Sequence, residues 1–342
     1  MSGKTTTEVL PTHTPELFRA AAARAAELLR AGQVVALPTE TVYGLAANAL
    51  NARAVARIYE AKGRPAHNPI IVHVASVAMA KRCVARWPAS AQRLARAFWP
   101  GPLTLVLPRA KEIPAVVTAG GLTVGVRWPS HPFIQAVIRE CGFPLAAPSA
   151  NPASRISPTT PEHVRRHLGS RIPLIVDGGP SPVGIESTVL DLTATPPRVL
   201  RPGMIHAEAL LAVIREVRGA TCDVRRARSV LRSPGTLRKH YAPKTKLVVW
   251  SWADENDLRR QMEDGRWQMA DCHVIAHSRI PRGSGFGGVS VIPRDAEAFA
   301  RALYAELHRC DEAGAKLIVV EAPPETAEWQ AIADRLRRAA AQ

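Results

Sequence analysis

Residues 34–45 read "VVALPTETVYGL". An apolar run, Val34 to Leu37, meets a proline and opens at once into Thr39-Glu40-Thr41. Four such residues bounded by a breaker fit a short buried strand, and α/β sheets present ligand-binding groups where strands end in polar residues. Before this stretch, Leu17, Phe18, Ala21, Ala25, Leu28 and Leu29 recur at helical spacing, and Gly32 fits a helix stop. After it, Asn51 is placed to cap a second helix that carries Val55, Ile58, Tyr59 and Lys62 on one face and ends at Gly63. The next strand is "NPIIVHV" (68–74).

Further strands are expected at "PLTLVLP", "TVGVRWP", "PLAAPSAN", "PLIVDGG" and "ESTVLDL", with helices near 76–98, 131–141, 160–169 and 206–217. Strands interspersed with helices define a mixed α/β domain, here 17–218, behind an N-terminal tail at 1–16. Residues 219–245 are basic, hold Pro234-Gly235 and Pro243, and read as a linker. From Lys246 to Gln342 a second rhythm alternates "KLVVW", "CHVIAH", "VSVIP" and "KLIVV" with helices at 254–264, 294–312 and 325–341, the pattern of a smaller α/β domain with a largely parallel sheet.

The 342 residues, 46% hydrophobic and 22% charged, exclude a disordered chain. The net charge of +16 favours anionic partners such as nucleotides, pyrophosphate or RNA, although Arg-rich composition accounts for it equally well. Five scattered cysteines without a C-x-x-C pair exclude a zinc ribbon and point to reduced thiols. With no apolar leader and no long apolar run, the expected location is cytoplasmic.

Several motifs fail on context. "GSGFGG" (283–288) matches a dinucleotide fingerprint but runs into a strand rather than a helix. His163/His167 and His273/His277 are i, i+4 pairs with no third ligand at metal spacing, so no metal site is expected. Walker A and G-x-S-x-G patterns are absent.

What remains are polar clusters in apolar surroundings: Thr39-Glu40-Thr41; Lys62, Arg64, Asn68 and His73 in "KGRPAHNPIIVH"; Thr123 and Arg127 with Ser149, Asn151 and Ser157; and Ser187 with Arg201. Each alone has a plain explanation as a turn, cap or core residue. Together, Lys62, Arg64, Arg127 and Arg201 suit phosphates plus a carboxylate, and an arginine inside an apolar strand needs a partner if buried.

In order, "PTETVYGLAANAL", "KGRPAHNPIIVHV", "APSANPASRISPTT", "GIESTVLDL", "LRPG" and "SPGTLRKHYAP" resemble the threonylcarbamoyl-AMP synthases, in the long two-domain form with a YrdC-like catalytic domain. The similarity is dense through the first 205 residues and looser in the last hundred. It implies a curled mixed α/β sheet with helices and a concave basic face, plus a smaller C-terminal Rossmann-like α/β domain. It also implies a reaction in which L-threonine, bicarbonate and ATP with Mg2+ give threonylcarbamoyl-adenylate and pyrophosphate. The product then passes to a separate tRNA threonylcarbamoyl transferase complex.

By the same resemblance, Thr41, His73, Arg127, Ala147 (through its backbone) and Ser187 match threonine-holding positions. Lys62, Arg64, Asn68, Thr123, Ser149, Asn151, Ser157 and Arg201 match ATP positions, and Tyr241 matches a residue that closes over the nucleotide. Ala153-Ser154 stands where the family often has Ser-Gly, and His206 where Thr is common.

Lys62, Arg64 and Arg201 are expected to stabilise charge on the phosphates, with Arg127 as a clamp on the threonine carboxylate or the nascent carbamate; Lys62, Arg64 and Arg127 are the catalytic candidates. His73 stands open between a base for the amine and a hydrogen-bonding orienter. The linker is expected to act as a lid that excludes water. Two rivals remain: a non-catalytic double-stranded RNA or tRNA-binding module, and a hydrogenase-maturation carbamoyltransferase, whose cysteine pairs are missing here.

Overall fold

The computed structural model describes residues 6–63, 68–215 and 240–341. The chain divides into two compact units, Met1–Ala153 with Ser157–Thr236, and Ser154–Ile156 with Leu237–Gln342. Of the expected linker, 219–239 lies outside the described residues, and 240–245 belong to the second unit.

The first unit holds β1 (Glu8–Pro11), β2 (Val35–Leu37), β3 (Gly44–Asn48), β4 (Val72–His73), β5 (Leu103–Pro108), β6 (Thr123–Arg127), β7 (Leu145–Ala146), β8 (Leu174–Asp177), β9 (Thr188–Asp191) and β10 (Arg198–Arg201). They form one ten-stranded sheet in the order β1-β8-β2-β3-β7-β4-β6-β5-β9-β10. It is mixed: β4 and β6 run parallel, for example, while β2 and β3 run antiparallel. Among the described residues seven helices accompany it: α1 (Pro15–Arg30), α2 (Ala52–Lys62), α3 (Val77–Cys83), α4 (Ala89–Phe98), α5 (Pro132–Cys141), α6 (Pro161–Leu168) and α7 (Ala207–Ile214). Thr14 caps α1 by accepting from Leu17 N, and the helix buries an alanine-rich stripe ending at Leu29. Phe18 then meets Phe133 of α5 edge-on, ring centroids 5.0 Å apart.

Three local expectations are corrected. Residues 8–11, assigned to a tail, form β1 at the sheet edge, parallel to β8; four half-exposed residues carry too little pattern to read as a strand. The single helix expected over 76–98 breaks into α3 and α4. Between them Val84 bridges to Arg109, and Pro88 restarts the helix because a proline and its preceding residue resist α conformation. "NPIIVHV" gives only the two-residue β4: Pro69 has no N–H to donate, and Ile70 bonds outside the sheet, to Val117 O at 2.8 Å.

The second unit contains β11 (Lys246–Trp250), α8 (Glu255–Asp264), β12 (Cys272–Ala276), β13 (Gly288–Val291), α9 (Ala296–Glu312), β14 (Leu317–Glu321) and α10 (Gln330–Ala340). Its sheet runs β11-β14-β12-β13 with every pairing parallel, as the alternation predicted. The glycine-rich loop ahead of β13 is filled by its own chain. Glu255 Oε2 accepts the N–H groups of Arg282 and Gly283, each at 2.8 Å, while Arg259 holds Oε1. A Cβ on Gly283 would lie 2.1 Å from Glu255 Oε1, so any other residue would push the Glu255–Arg259 pair aside.

Candidate functional site

The polar exit of β2 is a buried, hydrogen-bonded loop. Thr39 Oγ1 donates to Val42 O at 2.6 Å and accepts from the backbone N–H groups of Thr41 and Val42. Its proton and both lone pairs are then engaged, and the Thr41 hydroxyl lies 3.0 Å from it. Thr41 Oγ1 in turn accepts from Arg127 Nη1 at 2.9 Å. The loop backbone is tied to the 183–184 turn, where Val183 N donates to Glu40 O and Gly184 N to Thr41 O.

Arg127 ends β6 directly opposite His73, the end of β4. Its guanidinium forms an ion pair with Glu40 Oε1 at 2.7 Å, the two side chains only 4% and 5% exposed. Ser130 N donates to the same oxygen at 3.0 Å. Burial pushes the Glu40 carboxyl up, but the Arg127 charge and these hydrogen bonds outweigh it and leave it below the usual carboxylate range. Burial, aided by Arg127, takes His73 down to about 3, so its imidazole is neutral near pH 7. Such an imidazole accepts or donates a hydrogen bond without carrying charge.

Lys62, the last residue of α2, is buried, and its ammonium donates to the carbonyls of Ser149 and Asn151. Its own carbonyl accepts from Ala153 N at 3.0 Å. A helix end thus clamps both sides of the 149–153 loop. That loop leaves β7 through Ala147, whose N–H donates to Ile71 O at 3.0 Å, and Ser149 bridges to Gly44 just past the polar exit.

On the other side, Ser187 is fully buried between Thr104 Oγ1 at 2.8 Å and Arg201 Nη2 at 3.1 Å, and Arg201 Nε also holds the Ser187 carbonyl. Ser157 donates to Glu186 Oε1 at 2.5 Å. Gly101 and Pro102 join this group to the arginine, since Arg127 Nε donates to Gly101 O at 3.4 Å and Thr188 N to Pro102 O at 3.0 Å. A shallow, open recess lies alongside, lined by Pro69, Ile71, Thr104, Thr123, Gly125 and Val189 among others. A Cβ on Gly125 would come 3.1 Å from Thr104 Cγ2 and 3.5 Å from Ile71 Cγ1, both recess residues. The absent side chain keeps the floor flat. Asn68 is buried next to Pro69, its carbonyl accepting from Tyr59 Oη at 3.1 Å.

Hydrogen bonds and the short backbone stretches between them thus link Thr41, Arg127, Ala147, Ser149, Ser157, Ser187 and Arg201 in the first unit. His73 joins it by strand register, Lys62 and Asn151 by the loop clamp, and Thr123 by the recess. Arg64 lies outside the described residues. Tyr241 belongs to the second unit, where Arg335 lies over its ring at 5.0 Å and Tyr304 stacks at 6.0 Å; its assignment to the nucleotide rests on resemblance. The sequence reading did not pick out Glu40 as the partner of Arg127, nor Thr104 as the partner of Ser187. A hydroxyl inside the apolar strand "PLTLVLP" was the available signal for Thr104. Among the described residues no group of three or more His, Cys, Asp or Glu side chains is placed to hold a metal ion, and no helix is long and apolar enough to cross a membrane.

Residues 27–203 match the family model described as telomere recombination (Sua5, YciO and YrdC), and residues 205–341 match the threonylcarbamoyl-AMP synthase C-terminal domain. A threonylcarbamoyl-AMP synthase of Pyrococcus abyssi is 39% identical over 325 residues, covering 92% of each chain. One from Bacillus subtilis is 41% identical over 342 residues, 98% of this chain and 95% of its own. The crystal structure of P. abyssi Sua5 complexed with L-threonine superposes with a TM-score of 0.87 at 36% identity, over 97% of this chain and 96% of that one.

Proposed function

Since the chain belongs to the threonylcarbamoyl-AMP synthase family, we propose that it makes threonylcarbamoyl-AMP and pyrophosphate from L-threonine, bicarbonate and ATP, in the service of tRNA threonylcarbamoyladenosine modification. The observation that carries this reading is the buried guanidinium of Arg127, held between Glu40 and Thr41 and opposite a neutral imidazole. An amino acid brings the carboxylate, amine and hydroxyl that such a pocket can pair.

In the proposed sequence, the threonine amine is carboxylated and the carbamate oxygen attacks the α-phosphorus while pyrophosphate leaves. Both steps need alignment more than covalent help, and holding reactants together is worth on the order of 7–11 kcal/mol. Thr41, His73, Arg127, the Ala147 backbone and Ser187 hold threonine. His73 acts as a hydrogen-bonding orienter or takes the amine proton. Ser149, Asn151, Ser157, Asn68, Thr123 and Arg201 serve the nucleotide, with Arg64 and Tyr241 assigned by resemblance. Lys62 contributes by fixing the 149–153 loop and placing a positive charge behind it. Mg2+ enters with the triphosphate, whose oxygens it prefers, and the product passes to a tRNA threonylcarbamoyl transferase complex.

A non-catalytic reader of duplex RNA would need these cations exposed to neutralise phosphates, and Lys62, Arg127 and Arg201 are buried. The deciding experiment mixes protein, ATP, Mg2+ and bicarbonate and follows pyrophosphate with and without L-threonine. Threonine-dependent release supports the synthase. Its absence, with salt-sensitive RNA binding that ignores ATP, refutes it.

A further inference from the structure

Glu40 sits in the amino-acid pocket with no part assigned to it. Its Oε1 is spent on Arg127 and on the Ser130 N–H. Its Oε2 is buried and has no hydrogen-bond partner among the described residues. His73 Nδ1, beside the same arginine, is in the same condition. Arg127 Nη2 likewise makes no hydrogen bond of good geometry among the described residues. Buried polar atoms are almost always paired, so these atoms around one ion pair mark a place where a ligand completes the bonding. The pair itself is poorly explained as a stability device, because a buried salt bridge recovers little over its desolvation cost.

We propose that Glu40 is a positioning residue for the amino acid: it fixes the Arg127 guanidinium through Oε1 and keeps Oε2 for the substrate's amino group. This rests on the synthase reading above. The geometry divides the labour. Nη1 of Arg127 is engaged by Thr41 and Nε by Gly101 O, so Glu40 sets the third corner of the guanidinium plane and with it the angle at which a carboxylate or carbamate is met. The carboxylate also cancels a positive charge that would otherwise stand buried beside a triphosphate site. Without it the pocket becomes an anion trap, open to the pyrophosphate the reaction releases. The groups facing Glu40 are Arg127, the Ser130 N–H, His73 and His131. The first two hold it ionised, in keeping with its lowered pKa.

The test is steady-state kinetics of Glu40→Gln, with Glu40→Asp as the variant that keeps the charge one methylene short. For Glu40→Gln the expected result is a rise of tenfold or more in the threonine KM, a smaller change in kcat, an unchanged ATP KM and a lower Tm, since the Arg127 charge is left buried without its partner. Pyrophosphate should inhibit it at several-fold lower concentration than wild type, and Glu40→Asp should fall between the two. In an Arg127→Lys background, Glu40→Gln should add little, since both act on one contact. If Glu40→Gln spoils both KM values together, or leaves the threonine KM and pyrophosphate inhibition at wild-type values, the assignment is overturned. Should Glu40→Gln not fold, Glu40→Asp with wild-type threonine KM overturns it equally. Absence of threonine-dependent pyrophosphate release from the wild type would instead sink the synthase reading itself.

Discussion

His73 and Arg127 are register partners at the ends of the parallel strands β4 and β6, an imidazole kept neutral by burial and by the guanidinium beside it. The folded imidazole titrates at about 3 and the unfolded one at 6.5. Between those values the unfolded chain binds a proton that the folded chain refuses, so stability falls as pH drops through 6.5 towards 3. From about pH 8 to about pH 5 this one group costs roughly 2 kcal/mol. Urea unfolding of wild type and His73→Asn across that range should show the wild type losing that much more. Parallel slopes would mean that His73 is not held neutral.

Thr41 is an acceptor for Arg127 Nη1 through its hydroxyl oxygen, 3.0 Å from Thr39 Oγ1. Thr41→Val removes that acceptor and leaves Arg127 Nη1 without its partner, whereas Thr41→Ser keeps both. An unpaired buried polar group costs roughly 1–3 kcal/mol. The threonine KM should therefore rise five- to a hundredfold in Thr41→Val and stay within a few-fold in Thr41→Ser. Equal behaviour of the two variants would remove the hydroxyl from the account.

Gly125 leaves the recess floor flat, within 4 Å of Thr104, Ile71 and Val106 had it a Cβ. Gly125→Val would fill that space. With the nucleotide in the recess, the ATP KM should climb at least tenfold while the threonine KM moves little. An unchanged ATP KM would put the nucleotide elsewhere.

Lys62 ties the end of α2 to the 149–153 loop, so Lys62→Met should cost stability as well as activity. The carbonyls of Ser149 and Asn151 would lose a charged donor, a penalty of roughly 1–3 kcal/mol. For a unit of this size each kcal/mol lowers Tm by roughly 2–4 °C. A variant that is inactive yet melts with the wild type would return Lys62 to direct contact with phosphate.

The catalytic sheet was legible where strands are long and apolar, as in "PLTLVLP" and "PLIVDGG", and the parallel sheet of the second unit followed from its alternation. What escaped was set by tertiary contacts. β1 exists because β8 offers an edge, and the split between α3 and α4 follows from Pro88 together with the Val84–Arg109 bridge. At the site, residue types marked the pocket but not the pairing. Arg127 in an apolar strand demanded a partner, and Glu40 is 87 positions away, joined only when β2 and β6 bring their ends together. The same holds for Lys62, whose charge suggested phosphate while its neighbours are main-chain oxygens.

The glycine loop of the second unit stands one side chain short of a receptor. The amides of Arg282 and Gly283 converge on a single oxygen with a guanidinium close by, the donor set that sulfate or a phosphoryl group would seek. Glu255 is a built-in stopper there, an anion of the chain's own standing where a free oxyanion would have to go.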